Sequence, residues 1–346
     1  MDTKQPKRTS PIIDGDSVLF EWYGSNPPKL IGDFNNWNGS HGVAFTSAGS
    51  GRWQARLKLP KDAYIEYAYL VDGKRLLDPN NPQHVHNGME HVNNYFYMPG
   101  KQPTSLVRYG RGVPRGTVKR YKVEARYALG DGDRGISLFE RTVYLYQPPV
   151  VEPSPLLVVF DGPDYLKRAK LPAIVDNLIH QKRIRPIAMA MLAHGRRNRF
   201  IEYACSDVTL GFLMFNVLPL ARKELKLVDP KQAPGAFGVL GASMGGLIAL
   251  YTGLRQPEVF GHIISQSGAF YPKFVVSDLV SNRQANQIKI WMDVGSMEYL
   301  VDYNRQMHRL LVEHDYNVHY QEYAGGHNYT SWRDEVVSGL LDQFGV

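Results

Sequence analysis

The sequence is poor in cysteine: Cys205 is the single one in 346 residues, which excludes an intrachain disulfide and any fold stapled by several. It also has no apolar run approaching the ~20 residues that cross a bilayer, so no membrane partner is expected. An excess of one charge is only modest, 40 Lys plus Arg against 33 Asp plus Glu, for a formal net charge of +7. These basic residues are dispersed apart from short clusters such as Arg196-Arg197-Asn198-Arg199. With no basic helix interleaved with aromatics, nucleic acid is not an expected partner. A positive field of this kind suits an anionic substrate instead. The first 14 residues carry no charged-then-apolar leader, from which a cytoplasmic protein is expected. His84-Val85-His86 and His91 lie in a polar stretch without Cys or a fixed acidic partner, so no metal site is expected there.

What is present is ordinary globular material, 43% hydrophobic and 21% charged, at a length for which two domains are the natural expectation. Residues 1–11 are polar, carry Pro6 and read as a disordered tail. Over 12–100 short alternating segments (18–23, 29–31, 52–59, 64–71 and 95–98) are broken by turn residues, with Asp72-Gly73 as a hairpin turn. This pattern predicts a small all-β, immunoglobulin-like sandwich. Residues 101–116, rich in glycine and basic side chains and without apolar periodicity, read as a linker. From 117 a β-hairpin (119–127 and 136–146) gives way to strands alternating with helices: strands over 156–160, 187–192, 236–240, 262–265, 288–294 and 318–323, helices over 171–182, 207–225 and 299–314. Such alternation predicts a doubly wound α/β domain with a mainly parallel sheet over 117–346.

The stretch Gly241-Ala242-Ser243-Met244-Gly245-Gly246 joins the last apolar run before it to a helix-like run after it. Strand, Gly-x-Ser-x-Gly and helix together spell a nucleophile elbow, in which small residues let strand and helix approach and the serine hydroxyl is exposed. The Met244 amide, at the helix start, is then placed to hold an oxyanion. A serine needs a base. Of the histidines well beyond Ser243, His308 and His314 fall on an amphipathic helix and His319 within a strand, whereas His327 follows Ala324-Gly325-Gly326 in a loop after the last strand. His327 is therefore the candidate base. The acid that orients it belongs just after the strand at 288–294, where Asp293, Glu298 and Asp302 all qualify by position. Glu298, in the turn Gly295-Ser296-Met297-Glu298, is the first choice and Asp302 the second.

These motifs, together with Leu157-Val158-Val159-Phe160-Asp161-Gly162, Asn198-Arg199-Phe200-Ile201-Glu202-Tyr203 and Gly325-Gly326-His327-Asn328-Tyr329-Thr330-Ser331-Trp332-Arg333, resemble the Putative esterase family of α/β hydrolases. That family groups enterochelin esterases, feruloyl esterase modules, esterase D and mycolyltransferases. Gly32-Asp33-Phe34-Asn35-Asn36-Trp37 and Leu77-Asp78-Pro79-Asn80-Asn81-Pro82 resemble early-set domains that precede isoamylase and glycogen-branching catalytic domains, a layout similar to that of enterochelin esterases. Phe34 and Trp37 read as sandwich core or, in the other reading, Trp37 as a platform for a sugar face. The resemblance implies a serine esterase with Ser243, His327 and Glu298 as triad and no cofactor. It implies a second oxyanion donor just after Asp161-Gly162, but that residue is Pro163, which has no N–H, so the donor passes to Asp164. Arg199, Trp332 and Tyr165 are the expected substrate contacts. A small-molecule or oligosaccharide ester is expected: a siderophore lactone, or a feruloyl or acetyl sugar ester. The alternative is a non-catalytic glycan-binding protein with a decayed hydrolase domain.

Overall fold

The computed structural model describes residues 10–86, 88, 91–127, 136–272, 274–282 and 288–346. Most of the tail expected over 1–11 thus lies outside the described residues. Strands β1 (Ile12–Asp14), β2 (Ser17–Tyr23), β3 (Lys29–Gly32), β4 (Val43–Ala44), β5 (Thr46–Ser47), β6 (Arg52–Lys58), β7 (Tyr64–Val71), β8 (Lys74–Leu76), β9 (His84–His86) and β10 (Val92–Tyr97) fill the N-terminal part. They form one antiparallel sheet ordered β1-β2-β6-β5 and a second ordered β4-β3-β7-β10-β9, with β8 on β7. Alternation along β7 explains the packing: Ile65, Tyr67 and Tyr69 join Val18, Phe20, Leu30 and Phe96 in the core. The expected hairpin turn joins β7 to β8, with Asp72 at φ 47° and Gly73 at φ 75°, the doubly positive pair a two-residue turn of this kind requires.

The C-terminal part is built on β11 (Thr117–Tyr127), β12 (Ile136–Gln147), β13 (Leu156–Val159), β14 (Ala188–Leu192), β15 (Phe237–Ala242), β16 (Phe260–Gln266), β17 (Lys289–Gly295) and β18 (Asn317–Tyr323). Their order is β11-β12-β14-β13-β15-β16-β17-β18. The pairs from β14 through β13, β15 and β16 to β17 are parallel, and β11 and β12 add an antiparallel edge. Strands β13, β14 and β15 are buried at every position, as the central strands of a sheet covered on both faces must be. The helices are α1 (Gly162–Lys167), α2 (Leu171–His180), α3 (Arg199–Tyr203), α4 (Asp207–Phe212), α5 (Leu218–Glu224), α6 (Met244–Arg255), α7 (Val276–Asn282), α8 (Val301–Glu313) and α9 (Tyr329–Phe344). The helix expected over 207–225 is α4 and α5 separated by a π-helical stretch, Leu213–Val217. Pro219 lies just beyond it and cannot donate back one turn, which breaks the regular ladder there. No single helix among the described residues is long and apolar enough to cross a membrane.

Compactness divides the chain unevenly. One unit holds residues 1–103 together with 295–301 and 322–331; the other holds 104–294, 302–321 and 332–346. The loops that follow β17 and β18 therefore belong with the N-terminal sandwich.

Candidate active site

Ser243 ends β15 and caps the start of α6 with φ 59° and ψ −123°. A non-glycine residue in this region carries about 1–3 kcal/mol of backbone strain, and it persists only where the surroundings enforce it. They do so here. The Ser243 N–H donates to the Gln266 carbonyl at 2.9 Å, and its own carbonyl accepts from the amides of Gly246, Leu247 and Ala269. A Cβ on Gly241 would overlap the Gly245 carbonyl, so the close approach of strand and helix depends on those glycines. Ser243 is half-buried amid fully buried neighbours. Met244 opens α6, and an amide in the first turn of a helix has no carbonyl one turn earlier to bond. The one thiol offers no rival nucleophile: burial pushes Cys205 up to about 12, so it holds almost no thiolate near neutrality.

Four expected site residues in the sheet unit have other occupations. Asp164 donates its amide to the Asp161 carbonyl at 3.0 Å within the first turn of α1, so it is not free to hold an oxyanion. Arg199 meets the buried Asp161 carboxylate in a fork, Nε to Oδ1 at 2.8 Å and Nη2 to Oδ2 at 2.6 Å. That fork makes it a strut under the turn into α1. Tyr165 has no exposed surface, and its hydroxyl donates to Gln266 Oε1 at 2.8 Å. Trp332 is buried as well; its Nε1 donates to Ser267 Oγ at 2.9 Å and its carbonyl accepts from Gln266 Nε2 at 3.0 Å. Both aromatics pack beneath the sheet's end, their polar atoms satisfied within the core, and neither lines a substrate space. An open cavity of about 430 Å³ does adjoin Pro163, between Arg141, His194 and Arg196.

The three carboxylate candidates differ in their surroundings, and of them Glu298 belongs to the sandwich unit. Glu298 is buried; its Oε2 pairs with His327 Nδ1 and its Oε1 accepts from the Gly295 amide at 2.8 Å. Asp302 is exposed on α8 and pairs with Arg305 at 3.1 Å. Asp293 is buried but accepts from Trp291 Nε1 at 2.9 Å. The His327 ring stays partly open to solvent and lies 5.4 Å from the Tyr299 ring. Its two loops are zipped together by the backbone, Ser296 N–H to the Tyr323 carbonyl at 2.8 Å and Met297 N–H to the Gly325 carbonyl at 3.1 Å. Strand β7 ties in the same loop, Tyr64 N–H donating to the Ala324 carbonyl at 3.1 Å.

One residue of this neighbourhood had no sequence signal for such a place. Asp33 is buried, and its carboxylate accepts from the Glu66 amide, from Trp37 Nε1 and from Asn328 Nδ2. Burial, and after it the neighbouring Glu66 carboxylate, hold the Asp33 carboxyl well above its ordinary range, opposed by the donors from Glu66 and Trp37. Trp37 itself is neither core nor an open sugar platform. Its ring is half-buried and the Arg75 guanidinium sits 4.0 Å over it. Phe34 packs against the sandwich core as expected.

The likeness to known proteins agrees with this architecture. The enterobactin esterase of Shigella flexneri, solved in the presence of 2,3-dihydroxy-N-benzoyl-serine, superposes with a TM-score of 0.75 at 19% identity, over 94% of this chain and 92% of that one. A ferulic acid esterase from Anaeromyces mucronatus, in complex with ferulic acid, superposes with a TM-score of 0.55 at 16% identity, over 70% of this chain and 96% of that one. At such identities the likeness speaks to the fold, an α/β hydrolase. In sequence, the iron(III) enterobactin esterase of Dickeya dadantii (strain 3937) is 28% identical over 224 residues, 58% of this chain and 51% of that protein. This chain spans about half the length of several of the curated relatives it matches. The signature of the family described as Putative esterase matches residues 139–342, more than half of the chain. On that match, and with the motifs singled out in the sequence, the chain belongs to the Putative esterase family.

Proposed function

We propose that this protein is a serine carboxylic-ester hydrolase working through an acyl-enzyme, with Ser243 as nucleophile, His327 as base and Glu298 as the acid that orients the base. The observation that carries this reading is the strained Ser243 at the strand-to-helix turn, a conformation the surrounding hydrogen bonds enforce and packing alone does not call for. Support comes from the buried Glu298 on His327 Nδ1, which fixes the ring proton on that nitrogen and leaves Nε2 to accept. In the proposed reaction Nε2 takes the Ser243 proton as Oγ bonds to the ester carbonyl carbon. The Met244 amide stabilises the oxyanion, and the imidazolium returns the proton to the departing alcohol. A water activated by the same nitrogen then attacks the acyl-enzyme and releases the acid. None of these steps calls on a metal or an organic cofactor.

For the substrate we favour a bulky siderophore lactone over a feruloyl or acetyl sugar ester. The enterobactin esterase superposes over the sandwich as well as the sheet domain, whereas the ferulic acid esterase covers 70% of the chain. The loops bearing His327 and Glu298 are built into the sandwich unit, so an esterase lacking that unit would need another support for them. The test is hydrolysis of p-nitrophenyl acetate to octanoate and of enterobactin by wild type and Ser243→Ala, with fluorophosphonate labelling of both. Turnover and labelling that vanish together in the variant are expected. Equal turnover in both proteins would refute the serine mechanism, and cleavage of a feruloyl sugar ester in preference to enterobactin would refute the substrate class.

A further inference from the structure

We propose that Asp33, in the N-terminal sandwich, is a positioning residue for His327, holding the base's loop from both sides through Asn328 and Gly326. This rests on the serine-esterase reading above. Asn328 follows the base directly and works in two directions. Its Oδ1 accepts from the Ser331 amide at 2.9 Å, the capping bond of α9, and its Nδ2 donates to Asp33 Oδ2 at 3.4 Å. Gly326 directly precedes the base and lies against the same carboxyl so closely that a Cβ there would overlap it. His327 is thus bracketed by two neighbours that both rest on one side chain.

Asp33 is itself immobilised. Besides Asn328, its Oδ2 accepts from the Glu66 amide at 2.8 Å, in the middle of β7, and its Oδ1 accepts from Trp37 Nε1 at 3.1 Å. The turn that presents it is closed by Asn35, whose Oδ1 accepts from Gly32 N–H at 3.0 Å and whose Nδ2 donates to the Leu30 and His41 carbonyls. Trp37 adopts a positive φ of 59° that carries its ring back over the turn. The Gly32-Asp33-Phe34-Asn35-Asn36-Trp37 motif is therefore a rigid bracket. A base displaced by about 1 Å loses on the order of 100-fold in rate, so a bracket of this kind acts on turnover rather than on substrate affinity.

Asn328→Asp isolates the contact. The new carboxylate still caps α9, since aspartate is as good a cap as asparagine, but it sets a second carboxylate against Asp33. The titratable and charged groups facing Asp33 are Glu66 and Tyr64 from β7, Arg75 from β8 and Glu298 from the turn after β17. All are common to variant and wild type, so the ratio of their kcat values removes the pH dependence that the two proteins share. With p-nitrophenyl butyrate, Asn328→Asp is expected to lower kcat at pH 8 by about 10-fold or more with KM within about 2-fold, as a mispositioned base requires. The kcat ratio to wild type should climb as pH falls toward 6, when one proton is shared between the facing carboxyls. Asn328→Ser keeps a capping hydroxyl but cannot reach Asp33, and should show a similar loss that does not vary with pH relative to wild type. If both variants melt as wild type does and keep its kcat throughout, Asp33 does not position the base. A wild type that neither hydrolyses esters nor takes the fluorophosphonate at Ser243 overturns the esterase reading and this inference with it.

Discussion

Replacing Glu298 by glutamine is an isosteric change whose effect can be worked out from its two partners. One carboxylate oxygen accepts from the Gly295 amide at 2.8 Å and the other holds His327 Nδ1. In Glu298→Gln the carbonyl oxygen must stay on the Gly295 N–H, because a buried N–H facing an NH₂ group would lose about 1–3 kcal/mol. The new NH₂ therefore points at Nδ1. The imidazole can meet it only as an acceptor, which moves the ring proton to Nε2, the atom that has to take the proton of Ser243. A base locked in the wrong tautomer loses roughly 10⁴-fold in kcat, or about 5 kcal/mol of transition-state stabilisation. We expect a fall of about 10³- to 10⁴-fold in kcat with KM nearly unchanged. Glu298→Ala frees the imidazole to choose its tautomer and is expected to be less damaging than the glutamine. The assay is steady-state hydrolysis of p-nitrophenyl butyrate at pH 8 by wild type, both Glu298 variants and Asp302→Asn. Near wild-type turnover by Glu298→Gln together with an inactive Asp302→Asn would refute the reasoning and move the acid to α8.

Pro163 withholds an amide near the start of α1, where the Asp164 N–H is already committed, and one missing oxyanion donor costs about 100- to 1,000-fold. Pro163→Ala should therefore raise kcat on simple esters by about 10-fold, a fraction of that cost; an unchanged kcat would show that this amide does not face the oxyanion. A pH effect on stability resides in His262, whose partners are Gln343 and Arg185 and whose burial pulls it down to about 4. Because the unfolded chain takes up that proton near the ordinary value while the folded chain resists it, stability should fall as pH drops from about 6.5 to 4, by on the order of 3 kcal/mol. Denaturant melts at pH 7 and 4.5 should show most of that loss in wild type and a smaller one in His262→Gln.

The parts of this protein that its sequence determined are those encoded locally. Period-2 and period-3.6 patterns separate sandwich from α/β domain, Asp72-Gly73 supplies the two positive φ values of a hairpin, and Gly241 and Gly245 admit the tight approach that strains Ser243. The stripe Trp332, Val336, Leu340 and Phe344, buried at four-residue spacing, shows that α9 is locally encoded as well. Tertiary structure alone decided the partners of the polar groups. Arg199, an expected substrate contact, is held by Asp161, while Tyr165 bonds to Gln266, Trp332 to Ser267 and the Asp164 amide to the Asp161 carbonyl. Of three carboxylates that all qualify by position along the chain, Glu298 is the one buried in a pair with His327. Asp33 and Asn328 meet across 295 positions of sequence. A backbone's conformation is set by neighbours a few residues away, but a buried donor must find an acceptor wherever packing brings one, and no local pattern records that meeting.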